Sequence, residues 1–159
     1  MSWATVGAEI VTLIKAVTDV VDDNVFLRKV GYRNDAEFKE RFWDAANSRF
    51  IGWEVRCLSD EEGISSYFTG RTAYNTQTIG FIGMKDDNGS NITYTTLDDI
   101  MKGIKNKFKV NLTVNSTCEK AEFPIMGEIN PIMKQGNWCW QCAIEWIVYE
   151  RTTFTESIS

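Results

Sequence analysis

Apolar positions recur along this chain in two rhythms, one of three to four residues and one of two, and each rhythm marks an element. Val6, Ile10, Leu13, Ile14, Val17 and Val21 follow helical steps, so residues 3–21 are expected as an amphipathic helix with Ser2 as its N-cap. Asp22, Asp23 and Asn24 read as a turn, and Val25 to Val30 as a short strand rich in β-branched and large apolar residues. After the punctuation of Gly31 to Asn34, Phe38, Phe42, Ala45 and Ala46 share one face of a short helix over 35–47. Ile51, Trp53, Val55 and Cys57 alternate with Gly52, Glu54 and Arg56, the pattern of a half-buried strand over 50–58.

Asp60 to Gly63 reads as a turn and residues 64–75 as a polar loop or distorted hairpin. Thr76 to Met84 is expected as a strand whose Gly80 and Gly83 mark a bulge or a close backbone approach. A turn at Asp86 to Gly89 leads to a second long helix, capped at Thr95 and Thr96, with Asp99 completing a capping-box-like start. Leu97, Ile100, Met101, Ile104 and Phe108 form its apolar stripe, and its lysines gather in the last turns, where they suit the helix dipole.

Val110 to Val114 is a short strand candidate. Residues 115–136 contain Pro124 and Pro131, the only prolines, and read as a long irregular arm. Its Phe123, Ile125, Met126, Ile129, Ile132 and Met133 argue that the arm packs on something, a neighbouring subunit being the candidate. The clearest strand runs over 138–153. Trp138, Trp140, Cys142, Ile144, Trp146 and Val148 lie on one side, and the other carries Cys139, Gln141, Ala143, Glu145, Ile147 and Tyr149. With two semi-apolar faces, such a strand belongs in mid-sheet, covered on both sides, or at a subunit interface. The tail from Phe154 to Ser159 is expected to be loose. The sum is an α+β single domain over 1–159: a mixed or antiparallel sheet with two main helices packed on one face.

Composition narrows the function. The chain has 159 residues, enough for a core without staples, and six Trp within 13% aromatic residues. Surplus Trp and Tyr suit protein–protein contacts, although a bulky core uses them too. The net charge of −5 makes a nucleic-acid grip a poor fit, because phosphate binding relies on cations. Lys102, Lys105, Lys107 and Lys109 are explained as a solvated helix face. No histidine is present, which removes Ser–His and Cys–His catalysis, imidazole proton shuttling and His metal ligands together. Met1 to Thr5 show no secretory pattern and no apolar run reaches membrane-spanning length, so a cytosolic protein is expected, with no membrane partner.

Cys139-Trp140-Gln141-Cys142 has redox-motif spacing, but on an alternating strand positions i and i+3 point to opposite faces. Cys57 and Cys142 read as core thiols, while Cys118 and Cys139 are candidates for an inter-subunit disulfide. Zinc would need all four, in separate settings. The acidic pairs Asp22-Asp23, Glu61-Glu62, Asp86-Asp87 and Asp98-Asp99 fit turns or a helix start better than a metal site. Asn88, Asn91 and Asn115 match the glycosylation pattern by chance. No catalytic, cofactor-binding or metal-ligating residue is therefore assigned, and an enzyme is not expected.

Several features stand in a recognisable order: the opening helix from Trp3 to Val21, the strands from Phe50 to Met84, the Thr95-Thr96-Leu97-Asp98-Asp99-Ile100 helix start, and the closing Trp138 to Glu150 strand. In order, size and closing-strand style the chain resembles the tail terminator and tail completion proteins of tailed phages. The resemblance implies a structural virion protein, assembled in the host bacterial cytoplasm. It would form a homo-oligomeric ring, commonly a hexamer, on the last disc of tail tube protein. Such a ring ends polymerisation and offers a joining surface to a neck or head-completion protein, and DNA passes its acidic channel without specific binding. Trp138, Trp140, Gln141 and Tyr149 on the closing strand, with Phe123, Ile125 and Met126 on the arm, are the candidate interface groups; core packing is the plain alternative for the two tryptophans. The competing reading is another neck protein, or an acidic inhibitor- or immunity-type module that masks a basic partner.

Overall fold

The computed structural model describes residues 3–27, 34–64, 69–84, 91–115 and 117–153. The expected strand end at 28–30, the turns at 31–33 and 86–89, Ser2 and the 154–159 tail lie outside the described residues. The first helix, α1 (Trp3–Lys15), buries Val6, Ile10, Leu13 and Ile14 as its periodicity predicts. It stops well short of Val21. Val17 N–H turns back to the Ile14 carbonyl at 3.0 Å, and Asp19 adopts a left-handed φ of 70°. Val17, Val20 and Val21 still reach the core from this turn, so the apolar stripe outlasts the helix.

A 3₁₀ turn (Asp22–Asn24) leads to β1 (Val25–Phe26). Asn34 caps α2 (Asp35–Phe42) by accepting the Glu37 N–H at 3.0 Å. The expected helix over 35–47 ends early, because Trp43 turns extended and begins β2 (Trp43–Asp44). Then come β3 (Arg49–Ile64) and β4 (Thr69–Met84), two 16-residue strands paired antiparallel along their length. The turn expected at 60–63 is corrected to strand; of the loop or distorted hairpin expected over 64–75, the hairpin alternative describes Ile64 and 69–75, and 65–68 lie outside the described residues. Their polar residues belong to one long hairpin, with a bulge between Cys57 and Ser59.

The next helix, α3 (Asn91–Lys109), starts a turn before the expected Thr95–Thr96 cap, so Asp98 lies inside it and pairs with Lys102 at 2.7 Å. Its stripe of Leu97, Ile100, Met101, Ile104 and Phe108 is buried throughout. The strand expected at 110–114 is a pair of turns instead: Val114 and Asn115 have φ of 47° and 54°, and the Asn111 side chain accepts the Asn115 N–H. The arm expected at 115–136 is laid along its own chain as three short strands, β5 (Lys120–Ala121), β6 (Ile125–Met126) and β7 (Asn130–Lys134). All three pair antiparallel with β8 (Asn137–Thr153) and together make one interrupted edge strand.

The sheet order is β1-β3-β4-β8-β5, with β1 parallel to β3 and the other pairs antiparallel, so the fold is α+β with a mixed eight-stranded sheet. The long strand β8 lies between β4 and the interrupted edge, in mid-sheet as one expected placement has it, although among the described residues no helix covers the second face of its far half. Both long helices cover one face, which carries Ile51, Trp53, Val55, Ile82, Cys142, Ile144, Trp146 and Val148. Phe108 of α3 stacks flat on Trp146, with centroids 4.3 Å apart. Gly80 lets this layer close down: a Cβ there would sit 2.6 Å from the Met101 sulfur. On the opposite face, Phe38 and Phe42 of α2 meet Phe50, Phe81 and Cys139 in a second small core at one end, the one place where a described helix covers that face.

Candidate interaction surface

Beyond the phenylalanine cluster, the second face of the β3-β4-β8 sheet continues for four more rungs. Period-two geometry and the register place Glu54, Ile79 and Ala143 on the first of them. Arg56, Gln77, Glu145 and Ile125 share the next, Asn75 and Ile147 the third, and Glu61, Ala73, Tyr149 and Lys120 the fourth. Among the described residues no helix packs on these rungs, and Ile79, although buried, belongs to neither core. Ala73, Ala143, Ile147 and Tyr149 are half-buried. The surface is thus a flat, semi-apolar face with a sparse polar pattern, as protein-contact surfaces are.

Its far end is ordered by polar contacts. The Tyr149 hydroxyl donates to the Glu122 carboxylate at 2.7 Å, and this bond raises the phenol's pKa. The ring lies between the Arg71 guanidinium at 4.2 Å and the Lys120 ammonium at 5.5 Å. Directly behind, on the helix side, Tyr74 donates to the buried Glu150 at 2.9 Å, and burial together with that bond pushes its phenol upward. Five buried polar atoms have no hydrogen-bond partner among the described residues, including Arg56 Nε on the bare face and the indole nitrogens of Trp138 and Trp140.

The residues predicted as interface groups do not form one patch. Gln141 and Tyr149 lie on the bare face, Gln141 beside Phe81 at the margin of the phenylalanine cluster. Trp138 and Trp140 point to the helix side, half-buried; their rings meet edge-on at 6.3 Å, and Tyr94 of α3 meets Trp140 at 5.3 Å. Phe123 and Ile125 stand on the interrupted edge with 64% and 69% of their surface exposed, whereas Met126 turns in against the main core. Sequence reasoning missed the outer margin of β3, where Leu58, Asp60 and Glu61 are exposed, because the acidic run reads as a turn. The alternation through Cys57 is the signal that could have been carried forward.

The thiols offer little reactivity. Cys139 and Cys142 lie on opposite faces in separate cores, as the strand geometry predicts. Burial pushes Cys118 and Cys142 up to about 11, so both are neutral thiols at pH 7. Cys118 and Cys139 are both buried, and an inter-chain disulfide would require either to leave its core. Cys57, expected in the core, is only half-buried. A cleft of about 370 Å³ between the end of α1 and α3 is lined by Val17, Thr18, Asp19, Asp99 and Lys107 among others. Among the described residues no helix is long and apolar enough to cross a membrane. No protein-family model matches the chain, and no curated protein matches it significantly.

Proposed function

We propose that this chain is a structural subunit that assembles with copies of itself into a ring, closing the head-proximal end of a phage tail tube. The observation that carries the reading is the second face of the sheet beyond the phenylalanine cluster: a semi-apolar surface with half-buried Ala143, Ile147 and Tyr149 at its centre and no helix over it among the described residues. A face of this kind is stabilised when another protein surface removes it from water. The net charge of −5 fits a channel that lets duplex DNA slide past. In this reading the tube protein lies below the ring and a neck or head-completion protein above it.

Light scattering coupled to size exclusion, with and without tail tubes, tests the reading. The expected result is a closed oligomer, or a monomer that joins tube ends and stops their growth. A monomer that ignores both itself and tubes at high concentration overturns it. The acidic β3 margin favours a second reading, a module that masks a basic partner; a monomer that captures a basic protein and no tube would select it.

A further inference from the structure

We propose that the two margins of the sheet are the two halves of a single interface, through which each copy of the chain extends the antiparallel sheet of the next. The proposal rests on the ring reading above and names the contact that builds the ring. Its first support is an open edge. Among the described strands, β1 pairs with β3 only at Trp53 and Glu54, and β2 only at Arg49 and Phe50. From Val55 to Ile64 the outer side of β3 has no strand partner among the described residues, and a strand edge of this kind is where another chain can add a strand.

The second support is polarity. From β3 to β4, from β4 to β8 and from β8 to β5 every step is antiparallel, so β5 runs opposite to β3. A neighbour set alongside in the same orientation therefore brings its β5-β6 margin to β3 with antiparallel polarity, and the alternation continues across the boundary.

The third support is chemical match at equal height. Glu61 and Lys120 end the same rung on opposite margins. Leu58, 47% exposed, sits in the bulge beside Ser59, whose rung passes through Asn75 to Ile147. The Ile147 carbonyl accepts the N–H of Glu122, which puts Leu58 level with exposed Phe123. An acid thus meets a base and an apolar group meets an apolar group when one margin approaches the other. Pairing of β3 with its own copy, centred on Asp60 and Glu61, would oppose carboxylates instead. The contact is heterologous, using two different patches of each copy, and such a contact closes into a ring when its rotation allows.

Two charge reversals test this in the full chain. Glu61→Lys and Lys120→Glu are each expected to keep the wild-type circular dichroism spectrum and to raise the concentration needed for assembly by about tenfold or more, since every interface then opposes like charges. An equimolar mixture of the two variants should regain the oligomer. In alternating copies each introduced lysine faces an introduced glutamate, and the native pair forms at the next boundary. Leu58→Asp should weaken assembly similarly and gain nothing from mixing with Glu61→Lys, which carries its change on the same margin. Single variants that assemble like the wild type, or a mixture that stays dissociated, overturn the proposal while a wild-type ring leaves the ring reading standing. A wild-type chain that neither self-associates nor joins tubes defeats both.

Discussion

The two ends of the long hairpin differ in what lies over their second face. At the α2 end, Phe38, Phe42, Phe50 and Phe81 are buried together over Gly52, which has no side chain to hold them off the sheet. At the far end, the same strands carry Gln77, Asn75, Ala73 and Glu145, and no described element covers them. One end is closed by a described element of the chain; the other, in the ring reading, is where a partner would sit. Substitutions at the first end should therefore act on folding, and substitutions at the second on association.

The sharpest break is Phe42→Ala, which empties the centre of the phenylalanine cluster. It is expected to lower stability by about 3–5 kcal/mol, read from the urea midpoint. Asp44 tests the same end more gently. Its carboxylate accepts from Asn47 at 2.9 Å and Arg49 at 3.0 Å. Burial works against its charge, but these two hydrogen bonds and the Arg49 charge outweigh it and hold the pKa below the usual value of 3.8. Asp44→Asn should cost about 1–3 kcal/mol at pH 7. Because the folded pKa is depressed, this contribution is present above the ordinary value and fades as pH falls through the folded one. The wild-type and Asp44→Asn stabilities should converge progressively as pH falls below the ordinary carboxylate range, which a series of urea titrations from pH 7 downward would measure.

At the bare end, Ile147→Asp is expected to change stability by no more than about 1 kcal/mol, since the side chain is only half-buried, and yet to reduce oligomer mass in light scattering. A large loss of stability with assembly intact would erase the contrast between the two ends. The smallest effect belongs to Lys102→Ala on the exposed face of α3. Its pair with Asp98 is a solvent-exposed i, i+4 contact screened by water and salt, so the thermal midpoint should barely move and assembly should not change.

Much of this contrast was legible in the sequence, and what was lost has a common cause. The stripe from Leu97 to Phe108 and the alternation from Cys142 to Val148 were readable because each faces a covered layer, where burial enforces period. Residues 59–64 and 69–75 escaped because the sheet there is bare on one side or free at its edge. Serine, threonine and carboxylates are tolerated in such places and resemble a loop. The edge from Lys120 to Lys134 escaped because Pro124 and Pro131 interrupt it; an outer strand accepts proline where an inner one does not. For the interface candidates, the weak polarity of the second face of β8 and the exposed Phe123 and Ile125 could be read directly. The turning of Trp138 and Trp140 toward α3 could not, because it depends on where Tyr94 packs.

The placing of β8 has a consequence for synthesis. This strand comes after every other described element, yet it lies between β4 and the short strands β5, β6 and β7, which pair with no other described strand of their own chain. Roughly fifty residues separate Met84 from Asn137. At ordinary translation rates of about 5–20 residues per second, the flank of β4 waits several seconds on the ribosome before its mate emerges. During that interval a nascent hairpin is a template for any stray strand, including one from a sibling chain on the same polysome. Crowded expression should therefore yield tangled aggregates, and slower or cooler production should favour correctly closed molecules.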